Sequence, residues 1–400
     1  CFVASIGMTI PGRAHPTISG LRLDILHDRI LEPLRGRPLA ETLPISGGDP
    51  DGLLAHSRFV ADKQQITIRA VESEPTLHPV ADIGEALFGG YLFAHYGHFL
   101  AESIHRLWPV LDSRRYDDLK IVFAVSSMHG GATRLKPHMI DVFSYLGIDA
   151  ERIVLISEPL HVGRLHVAES ARGLGRLPPL GYDDIFKRLG PSTEPAATTR
   201  LYVTRSRHLF SGGYLGELLV EEVLAASGIT VVVPEEHRAQ DLMRLYRSAW
   251  HIAFSEGSAI HLVEMSGGLA AKVLVVGRRE PAFVEERFIR MLSALCAEAT
   301  QFACMTALTP FKIDAEGRVE RSWSPVVVDI GALLERLADF YGIEIAAPSQ
   351  QQISRAMLLD LGRFALDPRS STGANAWQLG RQLKALQKQV GSKGLLDGIY

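Results

Sequence analysis

Hydrophobic and polar positions follow no regular period over residues 1 to about 80, a stretch dense in Pro, Gly and His in which only Gln65–Val71 alternates as a strand does. Beyond it, apolar runs and helical patterns take turns. Leu119–Val125 (LKIVFAV) reads as a buried strand, Arg134–Leu146 as a helix, and Arg152–Ile156 and Leu165–Ala168 as strands. Residues 173–199 carry Leu-Pro-Pro-Leu-Gly and Gly-Pro-Ser-Thr-Glu-Pro, which interrupt regular structure because Pro removes a donor and fixes φ. The alternation then becomes clear. Strands are expected at Arg200–Thr204, Ile229–Val233, His251–Phe254 and Lys272–Val276, with helices at Leu215–Ser227, Arg238–Ser248 and Ala259–Ser266 between them.

Short β-branched strands separated by helices predict βαβ units and parallel sheets covered on both faces. The chain has 400 residues, more than one ordinary core accommodates. The expected organisation is an N-terminal α/β lobe over 1–172, a linker over 173–199, a second α/β lobe over 200–345 and a helical tail over 346–400. A deep interdomain cleft is the natural binding place in such a chain. In the tail, Leu379, Leu383, Leu386 and Val390 recur at helical spacing among Arg381, Lys384, Lys388 and Lys393. A basic amphipathic helix over 374–393 packs back on its own domain, lies on a membrane surface or pairs with a partner helix.

Composition narrows the field. The formal net charge of −3 leaves no strong field to recruit nucleic acid. Cys1, Cys296 and Cys304 lack metal-type spacing and suggest a reducing, cytoplasmic compartment. No apolar run approaches the roughly 20 residues of a membrane helix, and no cationic segment leads into a long apolar one as in a secretory signal.

Three constellations carry candidate chemistry. In Phe93–Leu111, Phe93, Tyr96, Leu100, Ile104, Leu107 and Leu111 form one helical stripe, while His95, His98, Glu102 and His105 form another about opposite. The His/Glu stripe is therefore expected to face water or a cleft, and a Glu four residues from a His suits a general base with a fixed tautomer. The same four residues also read as a metal-dependent hydrolase site, although the H-E-x-x-H spacing is missing. Next, Arg205 and Arg207 close a parallel strand, where guanidinium forks meet phosphate oxygens. Finally, Glu256-Gly257-Ser258 passes from a strand into a helix ending near His261, a turn whose free amides favour anions. Asp49-Pro50-Asp51 has a D-x-D form within a turn-like stretch.

Taken in order, these segments resemble glycosyltransferase family 61, the group that includes bacterial capsular-polysaccharide transferases. Tyr96-Gly97-His98-Phe99-Leu100 with Glu102 is similar to the family's Tyr-His-Trp-Leu segment and following acid. Tyr202-Val203-Thr204-Arg205 resembles Tyr-(Val/Ile)-Ser-Arg, Val220-Glu221-Glu222 an Asn-Glu-Glu helix start, and Gly228–Glu235 the Gly-x-x-Val-Val-x-Pro-Glu strand. The resemblance spans Phe88 to Gly277, with Glu256 where the family has a His and Val220 where it has an Asn. It implies two Rossmann-like lobes of the GT-B kind, no tightly held metal, a nucleotide-sugar donor and a glycan or lipid-linked acceptor, with the enzyme cytoplasmic or peripheral to the inner membrane. As an inverting transferase the chain would use Arg205, Arg207, Gly257 and Ser258 for donor phosphates. His98 with Glu102 would be the base, Glu256 the second candidate, and His95, His105 and His261 further residues of the cleft. A non-catalytic nucleotide-sugar or glycan-binding module and a homo-oligomer stay open.

Overall fold

The computed structural model describes residues 18, 20–34, 42–47, 58–61, 64–67, 69–73, 78–112, 116–126, 131–173, 177–189, 199–303, 305–306 and 325–366. The expected tail helix over 374–393 and Asp49-Pro50-Asp51 lie outside these residues.

The first half supplies β1 (Leu23–Leu31), β2 (Thr42–Ser46), β3 (Arg58–Ala61), β4 (Gln64–Thr67), β5 (Arg69–Ser73), β6 (Ala81–Tyr91), β7 (Lys120–Ala124), β8 (Ile153–Ile156) and β9 (Leu160–Ala168). Seven of these form one mixed sheet in the order β5-β2-β1-β9-β6-β7-β8, and β3 pairs with β4 apart from it. The run expected as a single strand at Gln65–Val71 is divided between β4 and β5, which belong to different sheets. The second half supplies β10 (Arg200–Val203), β11 (Thr230–Val232), β12 (His251–Ser255), β13 (Leu269–Val276) and β14 (Cys296–Phe302), all parallel, in the order β11-β10-β12-β13-β14. A small pair, β15 (Met305–Thr306) and β16 (Val327–Val328), follows. Helices are α1 (Tyr96–His98), α2 (Trp108–Asp112), α3 (Pro137–Tyr145), α4 (Asp184–Lys187), α5 (Glu217–Ala226), α6 (Ala239–Ser248), α7 (Pro281–Val284), α8 (Arg290–Leu295), α9 (Ile330–Tyr341) and α10 (Gln350–Leu366).

The parallel sheet positions the site. From β10 the chain moves outward to β11 and then returns to β12 on the other side of β10. The helix after β10, α5, buries Val220 and Leu224 on one face of the sheet, whereas α6 buries Leu242, Met243 and Tyr246 on the other. The carboxyl ends of β10 and β12 therefore form the point where strand order reverses, the place at which open α/β sheets bind ligands.

Strand alternation explains how the halves join. Leu201, Val203, Ile252, Phe254, Val273 and Val275 of the parallel sheet enter the same core as Leu87, Ile121 and Phe123 of the mixed sheet. Their neighbours Tyr202, Ala253, Leu274 and Val276 face a second core under α5, α9 and α10, while Ala86, Phe88 and Val122 face a third. Each strand is thus buried on both faces, which is why it reads as a continuous apolar run. The α/β expectation holds, with a mixed sheet and a parallel sheet. Along these residues the two sheets share one continuous core. Burial of a large apolar side chain contributes about 1.5–3 kcal/mol, so such a core favours contact over an open gap.

The stretch 173–199 is more than a connection. It includes α4, and Tyr182, Ile185 and Phe186 are buried in the shared core. Gly267 fits against this segment: its φ is +72°, and a Cβ there would lie 2.5 Å from the Lys187 amide nitrogen and 2.8 Å from the Asp183 carbonyl oxygen. Gly267→Ala combines left-handed strain with a backbone clash, and a loss of about 2–4 kcal/mol is expected. Equilibrium denaturation measures it; an unchanged midpoint would show that α4 does not hold this turn.

Candidate functional site

The segment 93–111 is not one straight helix. His95 caps α1, a π-helical turn runs over Phe99–Ser103, and the chain breaks before α2. Ser103 fixes the break: its hydroxyl donates to the Tyr91 carbonyl at 2.8 Å and accepts from the Phe93 amide at 3.0 Å. A π-turn changes the angular step per residue, so the His/Glu stripe does not stay on one face. His95 is exposed and His98 partly so, whereas Glu102 is buried beneath His98 with its Oε1 2.7 Å from His98 Nδ1. His105 is buried completely, with its Nδ1 2.7 Å from the Tyr182 hydroxyl. Expectation is corrected there: His105 does not face water or a cleft. The four residues do not converge, and among the described residues no group of three or more His, Cys, Asp or Glu side chains is placed to hold a metal ion.

Opposite the exposed imidazoles stands the carboxyl edge of the parallel sheet. Arg205 follows β10, and its guanidinium is aligned by two carbonyls: Nε donates to Gly212 at 3.0 Å and Nη2 to Ser211 at 2.9 Å. Its third nitrogen, Nη1, lies against Gly257, where a Cβ would come within 2.7 Å. Gly257 begins the 3₁₀ helix Ser258–Met265, and Gly257 and Ser258 donate no backbone hydrogen bond across the turn among the described residues. Ser258 in turn touches α1: a Cβ on Gly97 would lie 2.9 Å from its Oγ and 3.3 Å from His95 Cε1. Two glycines thus bring the histidine turn, the helix start and the guanidinium together. Although His95 reaches solvent, the groups packed round its ring, then the charges of His98, Arg205 and His261, lower its pKa to about 4.

Two further cations complete this edge. Arg278 and Arg279 follow β13, and their amides hold Glu256 Oε2 at 2.7 and 3.1 Å, while Arg279 Nε also bonds Glu256 Oε1. Burial lowers the Arg278 pKa to about 9; Glu256 opposes this, and the charges of Arg279 and Arg205 add to it. A set of guanidinium groups that repel one another favours an anion among them. Glu256 is fully buried and saturated with donors, so it acts as a strut for Arg279 and not as an open carboxylate. Arg207 points outward and pairs with Glu236 at 3.0 Å, both exposed, away from the guanidinium set.

His261 and Glu264 form a second dyad, Nδ1 to Oε1 at 2.7 Å. The other oxygen of Glu264 faces His105 Nε2 at 3.5 Å and Arg172 Nε at 3.4 Å, and His105 Nδ1 meets the Tyr182 hydroxyl at 2.7 Å. Burial acts to raise the Glu264 pKa, but His105, His261 and Arg172 outweigh it and hold the carboxyl well below the usual range. Behind Arg205, Glu217 accepts from the Arg205 amide at 2.9 Å and from the Tyr202 and Thr204 hydroxyls at 3.1 Å.

The structure therefore gathers His95, His98, Glu102, Arg205, Gly257, Ser258 and His261 around one region, and leaves Arg207 at the surface and His105 inside. Arg278, Arg279, Glu217, Glu264 and Arg172 were not singled out from sequence. The pair at 278–279 could have been found as the first cations after a third strand of the same sheet.

Residues 96–265 match the family described as Glycosyltransferase 61. No curated protein matches the chain.

Burial raises the Glu217 pKa from 4.5 to about 7, against hydrogen bonds that lower it, with Glu221 adding to the rise. The native state then binds an extra proton between these values, so this contribution is full below pH 4.5 and is lost as pH rises through 7. Relative to Glu217→Gln, the wild type should lose about 2.5 kcal/mol between pH 5 and 8. Urea unfolding at the two pH values reads this directly, and parallel stability curves would contradict it.

Proposed function

We propose that this chain, whose residues 96–265 match the Glycosyltransferase 61 family, transfers a sugar from a nucleotide-activated donor to a glycan hydroxyl with inversion at the anomeric carbon. One observation carries this reading: the His95–His98 turn rests on Ser258, beside Gly257 and the aligned Arg205 guanidinium. An imidazole oriented by a carboxylate and a preorganised set of cations and amides are the two parts that displacement of a nucleoside diphosphate requires.

In this mechanism Arg205 and the amides of Gly257 and Ser258 receive the diphosphate, with Arg278 and Arg279 flanking it. Preorganised charge of this kind is commonly the largest single contribution to catalysis. The acceptor oxygen attacks the anomeric carbon from the face opposite the leaving group. The bond from that carbon to the phosphate oxygen breaks, and the diphosphate departs with the electron pair. The acceptor proton passes to His98 Nε2. Glu102, at 2.7 Å from Nδ1, orients the ring and stabilises the imidazolium that forms. Glu256 has no part in proton transfer, because its oxygens already accept from Arg278 and Arg279. The reaction proposed is metal-independent and belongs to surface-polysaccharide synthesis in a bacterial cytoplasm, as the resemblance of these motifs implies.

His98→Ala should lower sugar transfer by about 10²–10⁴-fold while leaving nucleoside diphosphate affinity unchanged by isothermal titration. Undiminished turnover would remove His98 from the mechanism, and donor binding without any turnover in the wild type would make the chain a binding module. Gly257→Ala should weaken nucleoside diphosphate binding, since its new Cβ displaces Arg205 Nη1. Arg207→Ala should have no effect on that affinity. Equal losses in both variants would place the phosphates elsewhere.

A further inference from the structure

A recess opens beside the His261–Glu264 dyad. It encloses about 160 Å³ and is lined by Ala101, Arg172, Gly173, Leu177, His261, Glu264, Glu286, Arg287, Arg290 and Met291. Its floor is charged and buried. Arg172 is only 3% exposed, and its Nε has no hydrogen-bond partner, since Glu264 Oε2 at 3.4 Å does not meet the geometry of one. A buried guanidinium N–H without an acceptor is costly, and a ligand oxygen would satisfy it. Glu264 is already shared among His261, His105 and Arg172, so it leaves little charge for the other cations.

The rim adds Arg287 and Arg290, and neither has an acidic partner among the described residues; Arg287 lies 5.7 Å from the Phe283 ring centroid. Glu286 adds a carboxylate to the same rim. Arg172 Nη2 is held by Asp183 at 2.8 Å, so the recess offers the buried Arg172 Nε–H, the guanidinium groups of Arg287 and Arg290 and one uncommitted carboxylate, which match a ligand that carries both an anionic oxygen group and hydroxyls. The volume is of monosaccharide scale. Two walls connect the recess to the transfer region: Ala101 belongs to the same π-turn as Glu102, and the His261 charge is felt at His95.

We propose that this recess is the acceptor subsite for an acidic sugar, with its carboxylate or phosphate ester held by Arg172, Arg287 and Arg290 and a hydroxyl held by Glu286. The assignment rests on the transferase reading for the word acceptor, but the binding it requires does not. An acidic residue in the growing glycan would be read here while its neighbouring hydroxyl reaches His98.

The test is ligand-observed NMR on the full chain with glucuronate, glucose 6-phosphate and glucose. Glucuronate or glucose 6-phosphate should bind at least about tenfold more tightly than glucose, which is the effect of about 1.4 kcal/mol of charge recognition. Which of the two binds better identifies carboxylate or phosphate as the group recognised. Arg290→Ala and Arg287→Ala, at positions outside the core, should each reduce that preference several-fold and leave nucleoside diphosphate affinity unchanged. Glucose binding as well as the acids, or both variants retaining the preference, would overturn the proposal. Competition between nucleoside diphosphate and glucuronate would also overturn it, by making the recess part of the donor site. Loss of nucleoside diphosphate binding in the wild type, with glucuronate still bound, would instead remove the transferase reading and leave the acidic-sugar site intact.

Discussion

One buried carboxylate ties the two halves of this molecule together. Glu264 lies on the 3₁₀ helix that follows β12, yet two of its partners, His105 and Arg172, come from the side of the mixed sheet. An isolated charge at that depth is strongly unfavourable. The carboxylate is tolerable only where the cations are, so its position sets how the helix start at Gly257 is presented to the His95–His98 turn. The surrounding apolar core supplies most of the stabilisation. The ion cluster supplies the register between the surfaces.

Much of the parallel sheet was legible in the sequence, for a physical reason. Its strands are covered on both faces, so Leu201–Val203, Ile252–Phe254 and Val273–Val276 are apolar at every position and stand out from the helices between them. The mixed sheet was harder. Leu23–Leu31 contains His27, Asp28 and Arg29, and Ala81–Tyr91 begins with exposed residues and includes Gly84, Gly89 and Gly90. Neither run alternates cleanly, because their pairing with β9 is decided by partners far along the chain. Local pattern carries no record of such pairing.

At the site, residues placed by strand ends were readable and residues placed by packing were not. Arg205 and Gly257 follow directly from where β10 and β12 stop. Arg207, two positions further, had passed beyond the edge and turned outward. In the segment 93–111 a constant step of about 100° per residue located His98 and Glu102 together, but the π-turn broke the phase before His105. Glu217 and Glu264 sit in patterns that look like ordinary helix faces. Their burial is a property of what α9, α10 and the mixed sheet bring against them, and no window of sequence contains that. Glu256 shows how a carboxylate can be accommodated at a buried strand end: the turn after β13 supplies two arginines that bind it.

The continuous core between the sheets also limits how this protein can move. Proteins whose halves meet across open water can hinge wide, admit a large substrate and shut again at little cost. Here the same motion would wet Phe123, Phe254 and their neighbours, and at about 25 cal/mol per Å² a few hundred Å² would already cost roughly 5–10 kcal/mol. Traffic through the region must therefore rely on side-chain rotations and short backbone adjustments around a fixed frame. The relative orientation of the sheets is thereby fixed by the packing between them, and adjustment is left to the small parts at its edge.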